Sequence, residues 1–160
     1  VYIFYEARLK FMKILIATDG SEYSKAAIAK SCEFIIPDKT SIEVVSVSEP
    51  LQPIALEPYV GVGNYYNTIQ EDLTAFATNS VTIAETEIRN RFPGKVLDIT
   101  TKVITGSPDQ AIVEEATAWG ADLIVVGSHG RGFWGRLLGS VSDGVVHHAP
   151  CSVLVVRKPE

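Results

Sequence analysis

Residues 127–140, GSHGRGFWGRLLGS, carry five glycines in fourteen positions. Glycine leaves bare backbone N–H groups where side chains would hold a ligand off. The segment follows an apolar run at 123–126 (LIVV) and leads into a helical pattern that starts near Ser140. A glycine-rich turn between a strand and a helix N-terminus is a ready anion cradle, because the first helical N–H groups have no partner within the helix. A surface loop that needs glycine only for its turns has the same composition, and clustering alone does not separate the two. A second apolar run, residues 12–17 (MKILIA), ends in Thr18-Asp19-Gly20. Asp19 there can accept hydrogen bonds from a ribose, approach a metal ion, or cap the helix that Ser21 begins. Thr18 either turns its hydroxyl outward or simply finishes the strand. Ser140 and Ser142 either donate to a phosphate or act as routine helix caps.

The other polar candidates are weaker. His129 lies inside the glycine loop but has no nucleophile or carboxylate at a recognisable spacing. His147 and His148 are adjacent and lack the i, i+4 spacing of a helical zinc pair, so no metal site is assigned. Arg131 and Arg136 flank the loop, where they either neutralise phosphate charge or stay solvated. Trp134 reads as an apolar plug or a dimer contact. No G-x4-G-K-[ST] segment is present, and no lysine sits in the glycine segment, which removes the usual electrophile for phosphoryl transfer. The pattern suits holding a nucleotide better than turning it over.

Strand and helix signals alternate around these motifs. Ile28, Ser31, Cys32 and Ile35 fall on one helical face, and Pro37-Asp38 ends it. Residues 42–47 (IEVVSV) are a second β-branched strand. From Pro50 to Asn67 there is no strand or helix period, which predicts a long, functional or mobile connection. Ile69, Leu73, Phe76, Ala77, Val81, Ala84 and Ile88 then trace one face of a long helix. Leu97, Ile99, Thr101 and Val103 alternate as a third strand. Ser107-Pro108 opens a helix as cap and first residue, and Gly120 suits its left-handed end. Residues 123–126 are the fourth strand. Val141, Gly144, Val145 and His148 mark a last helix, closed by Pro150, before a fifth strand at 152–156. This β-α-β-α-β-α-β-α-β order predicts an α/β fold: a single-domain, open, Rossmann-like parallel sheet with helices on both faces. Ligands of such sheets sit beyond the carboxyl ends of the strands, where strand order reverses. If the first and fourth strands are neighbours, the Thr18-Asp19-Gly20 turn and the glycine loop line one crevice.

Composition narrows the class. The 160 residues are 46% hydrophobic and 21% charged, an ordinary globular balance. The net charge of −5 disfavours nucleic acid as a partner. No apolar run approaches the ~20 residues of a membrane helix. Cys32 and Cys151 read as buried free thiols, which fits a reducing cytoplasm. Residues 1–11 are apolar and aromatic but include Glu6, Arg8 and Lys10, with no small-residue cleavage site, which argues against a signal peptide. They are set apart as an extension of uncertain origin, with residues 12–158 as the domain.

Taken together, Thr18-Asp19-Gly20-Ser21, the stretch VITGSP at 103–108, ADLIVVGSHG at 121–130, LGSVS at 138–142 and HAPCSVLVV at 148–156 resemble the universal stress protein family, specifically its ATP-binding branch with a G-x2-G-x9-G-[ST] motif. The resemblance implies a five-stranded parallel sheet of order 3-2-1-4-5. It also implies a homodimer joined edge to edge through the last strand, at Val153, Leu154, Val155 and Val156. Gly127, Ser128, Gly130, Gly139, Ser140 and Val141 would hold ribose and phosphates, Asp19 the ribose, and Ala17, Thr18 and Val47 would border the adenine. His129, Arg131, Gly132, Phe133 and Ser142 complete the expected nucleotide site. Eight residues separate Gly130 from Gly139 where the family has nine, which leaves the choice between ATP and AMP open. The expected function is a cytoplasmic, dimeric, nucleotide-binding regulator of stress responses, with magnesium arriving on the nucleotide, an unidentified protein partner and little or no hydrolysis. The alternatives are a nucleotide-free member working through protein contacts and a true nucleotide-transforming enzyme.

Overall fold

The structure is a computed structural model that describes residues 11–51, 62–130 and 138–158, with side chains from residue 66 onward in the second span. Among the described residues, nine elements follow in the order β1 (Met12–Ala17), α1 (Glu22–Ser31), β2 (Thr40–Ser48), α2 (Val62–Arg91), β3 (Asp98–Thr105), α3 (Pro108–Trp119), β4 (Leu123–Gly127), α4 (Ser140–His148) and β5 (Ser152–Val156). The strands form one sheet of order β3-β2-β1-β4-β5, and every pairing is parallel. Strand order reverses between β1 and β4, as the resemblance implied.

Period-two alternation divides the apolar residues of the central strands between two layers. Ile14, Ile16, Ile42, Val44 and Val125 face α1 and α2, where they meet Ile28, Val81, Ala84 and Ile88. Leu15, Val45, Ile124 and Val126 face α3 and α4, where they meet Ile112, Ala116 and Val145. Helix α1 starts at Ser21, whose Oγ accepts from the Ser24 N–H at 3.2 Å. Gly120 closes α3 with φ 75°, a left-handed conformation suited to glycine.

Several sequence expectations are corrected. Helix α2 begins at Val62, so the connection after β2 is shorter than the 50–67 stretch predicted, because its polar and glycine-containing start hides the helical period. Of the face expected on α2, Ala77, Val81, Ala84 and Ile88 are buried, whereas Leu73 and Phe76 are 39% and 41% exposed, because they border an open crevice. Ile35 is buried beyond the end of α1, not on the helix. Thr101 is exposed on the edge strand β3, and His148 is exposed on α4 with Nδ1 2.9 Å from the Gly144 carbonyl. Ser107 does not cap α3 with its side chain; its hydroxyl donates to Asp109 Oδ1 at 2.8 Å. Both cysteines are free, but they are half-buried and not enclosed, and burial pushes both thiols above their usual range.

Candidate functional site

A crevice of about 500 Å³ opens beyond the carboxyl ends of β1, β2 and β4, within the usual size range of small-molecule sites. Its floor is the Ala17-Thr18-Asp19 turn. Thr18 is buried, and its hydroxyl donates to Ser24 Oγ and accepts from the Gly20 N–H, each at 3.2 Å. That hydroxyl therefore finishes the turn. Asp19 divides its roles. Oδ1 accepts from the Ser21 N–H at 3.0 Å, while a Cβ placed on Gly130 would lie 3.0 Å from Oδ2. The first-strand turn and the glycine loop thus face each other across one crevice. Ser21, not Asp19, is the N-cap of α1.

The opposite wall is the glycine loop and the start of α4. Ser128 is buried, and its carbonyl accepts from the Gly139 N–H at 2.8 Å and from Ser142 Oγ at 3.0 Å. These bonds pinch the loop shut at its stem. Ser142 also donates to the Gly139 carbonyl at 3.0 Å, so its hydroxyl is committed to the stem. Gly139 is the N-cap residue of α4, and no side chain caps that helix. The first-turn N–H groups of Ser140, Val141 and Ser142 therefore carry the positive end of the helix at the crevice lining. His129 packs against Tyr23 with centroids 5.1 Å apart and the rings tilted by 52°, and its Nδ1 lies 3.0 Å from Ser128 Oγ. Arg131, Gly132 and Phe133 lie outside the described residues, as do Trp134 and Arg136.

Strand β2 forms the third side. Its pairing with β1 ends at Ala17 opposite Val45, and the Thr18 N–H donates to the Val45 carbonyl at 2.9 Å. Alternate residues of a strand direct their backbone groups to the same edge. Val47 therefore points its N–H and C=O past the end of β1 toward the crevice, which it lines. The sequence motifs left out the remaining lining, which includes Ser46, Ser48, Glu49, Leu73, Phe76, Pro108 and Ile112. One signal was available: Ser107-Pro108 follows the carboxyl end of β3, the end at which sites gather. Helix α2 packs so closely over the turn that a Cβ on Gly20 (φ 73°) would lie 2.9 Å from Ser80 Oγ and 3.1 Å from Phe76 Cζ. The described lining holds the carboxylates of Asp19 and Glu49 and no lysine or arginine.

A wide-open groove of about 760 Å³ runs along α2 between residues 67 and 82. Its threonines Thr74, Thr78 and Thr82 donate to carbonyls one turn back, so their hydroxyl protons are committed to the helix. Among the described residues no three histidine, cysteine or acidic side chains gather as metal ligands, and no helix is long and apolar enough to cross a membrane. Of the expected interface residues, Val153, Leu154, Val155 and Val156 are all half-exposed on β5, an edge strand.

Comparisons with known proteins converge on one family. The model of the universal stress protein family matches residues 10–157. A universal stress protein of Methanocaldococcus jannaschii is 34% identical, over 94% of this chain and 84% of its own length. One from Thermus aquaticus is 33% identical over 92% and 99%. Among solved structures, a hypothetical protein whose biochemical function was assigned from its structure superposes with TM-score 0.75 at 26% identity, covering 94% of this chain and 98% of that one. A universal stress protein family protein from Arabidopsis thaliana with AMP bound gives 0.62 at 19% identity over 92% of each chain. A universal stress protein in complex with cAMP gives 0.61 at 22%, covering 92% and 98%. With sheet order, crevice and sequence in agreement, this chain belongs to the universal stress protein family.

Proposed function

We propose that the crevice binds an adenine nucleotide, ATP or AMP, and that the protein is a cytoplasmic, dimeric regulator whose nucleotide is a bound signal with little or no turnover. One observation carries the reading: the uncapped N-terminus of α4 and the glycine loop lie across a single crevice from Asp19. A helix N-terminus with free N–H groups favours phosphate, and a carboxylate accepts from ribose hydroxyls. Val47 offers one donor and one acceptor side by side at the far end, the pair an adenine edge requires. Two solved structures of the same fold carry AMP and cAMP, which supports an adenine nucleotide as the first ligand to try. Magnesium would arrive on the phosphates, since the described residues form no cage of their own. Slow turnover is supported by the lack of a lysine in the described lining.

Dimerisation belongs to the same reading. The Ser128 N–H donates to the Val156 carbonyl at 2.8 Å, so Val156 and Leu154 direct their backbone groups toward β4. Val153 and Val155 direct theirs to the open edge, where a second β5 would pair with them. A second reading, a nucleotide-free protein acting through protein contacts, draws on the two carboxylates and lack of cations in the described lining. Mass spectrometry of small molecules released from the denatured, purified protein separates them. An adenine nucleotide near one per chain supports binding. None released, with none taken up on adding millimolar ATP or AMP, leaves the second reading.

A further inference from the structure

Glu43 stands mid-strand in β2, opposite Leu15 of β1, on the face that α3 covers. It is 7% exposed, and its Oε2 is buried without a hydrogen-bond partner. A buried carboxylate in that position is strongly disfavoured unless it is paired or protonated. The charged groups around it come from three neighbouring elements: Glu115 of α3, Lys102 of β3 and Lys13 of β1. Both lysines are engaged elsewhere. Lys102 Nζ lies 2.6 Å from Glu115 Oε2. Lys13 Nζ donates to the Trp119 carbonyl at 2.9 Å and sits 5.2 Å from the centre of that ring.

Glu115, with 12% of its side chain exposed, thus has its own cation, and Glu43 is left beside it as a buried like charge with no cation of its own. Two carboxyl groups can hydrogen-bond only when one of them carries a proton. Burial first, and then the charge of Glu115, pushes Glu43 above the ordinary glutamate range, while Lys102 and Lys13 pull the other way. We propose that Glu43 and Glu115 hold one proton between them and that this proton latches α3 to the sheet. Its loss loosens α3, the helix that supplies Pro108 and Ile112 to the crevice wall. The latch does not depend on what the crevice holds.

The sign follows from linkage. A carboxyl group whose proton affinity is raised by folding adds stability that is complete below its ordinary value of 4.5 and is lost as pH rises through its raised folded value. Amide hydrogen exchange across a pH series tests the latch in the full-length protein. Once corrected for intrinsic exchange, protection of the α3 amides should fall by up to about tenfold per pH unit, the limit for one proton, between the ordinary value of 4.5 and the raised folded value, and should level off above it. Glu43→Gln supplies a permanent amide donor toward Glu115 and should hold that protection constant. Carboxyl carbon NMR of the unmutated protein gives an independent readout. Glu43 should titrate above ordinary glutamates and move down in Glu115→Gln. Constant α3 protection in the unmutated protein, an equal fall in Glu43→Gln, or an ordinary Glu43 titration would each overturn the proposal.

Discussion

A Cβ on Gly127 would lie 2.8 Å from the Tyr23 carbonyl carbon and 3.0 Å from the Ser24 N–H nitrogen. Backbone cannot step aside as a side chain can, so this glycine exists to let β4 pack against the start of α1. Gly139 is similar: a Cβ there would meet His129 Cα at 3.3 Å and the Ser128 carbonyl oxygen at 3.4 Å, inside the loop stem. Gly130 differs, because its missing Cβ points across the crevice at Asp19 Oδ2. The sequence offered these three as equal members of a ligand cradle, since nothing in a glycine's identity says what its absent side chain would strike. Gly127→Ala should therefore destabilise the fold by about 1–3 kcal/mol, the usual cost of overpacking. Gly130→Ala should leave the urea unfolding midpoint nearly unchanged. Equal midpoints for the two variants would contradict this division.

At the scale of elements, the glycine loop and β5 are joined by the Ser128–Val156 bond, and each supports a prediction. Val155 directs its N–H to the open edge of β5, a place where proline is tolerated within a sheet. Val155→Pro should therefore leave a folded monomer in place of a dimer. Light scattering at micromolar concentration checks this, and a monomer in the unmutated protein would sink the dimer itself. The shortened spacing between Gly130 and Gly139 leaves the stem intact, with Gly139 N 2.8 Å from Ser128 O. Inserting a leucine after Leu138 lengthens the loop between those fixed ends and should raise the ATP-to-AMP affinity ratio. One recovered charge-assisted contact is worth about 1.5–3 kcal/mol, a factor of roughly ten or more. An unchanged ratio would show that the loop length carries no such meaning. The strands near these sites were legible because apolar runs report directly on the backbone, whereas the α4 cap was not, because Gly139 and not a serine holds that position. The start of α2 was not, because its first turns carry polar residues and glycine, and because Leu73 and Phe76 face a cavity that sequence cannot display.

For the whole molecule, the sheet order β3-β2-β1-β4-β5 is what turns two separate loops into one site. Residues 18–20 and 127–142 are more than a hundred positions apart, and only the adjacency of β1 and β4 brings Asp19 opposite Gly130. Alternation of strands and helices predicted a parallel sheet, but that adjacency came from the family resemblance and not from periodicity. The α2 and α3 walls, Glu49 and the Glu43–Glu115 pair were beyond reach, because each depends on which helix covers which strand. The central claim, that this crevice holds an adenine nucleotide, is tested most directly by titration calorimetry of AMP into the unmutated protein and into Gly130→Val. The account predicts one AMP per chain in the unmutated protein and at least about tenfold weaker binding in the variant, with the urea midpoint retained. No heat of binding from either AMP or ATP in the unmutated protein, or equal affinity in Gly130→Val, would contradict it.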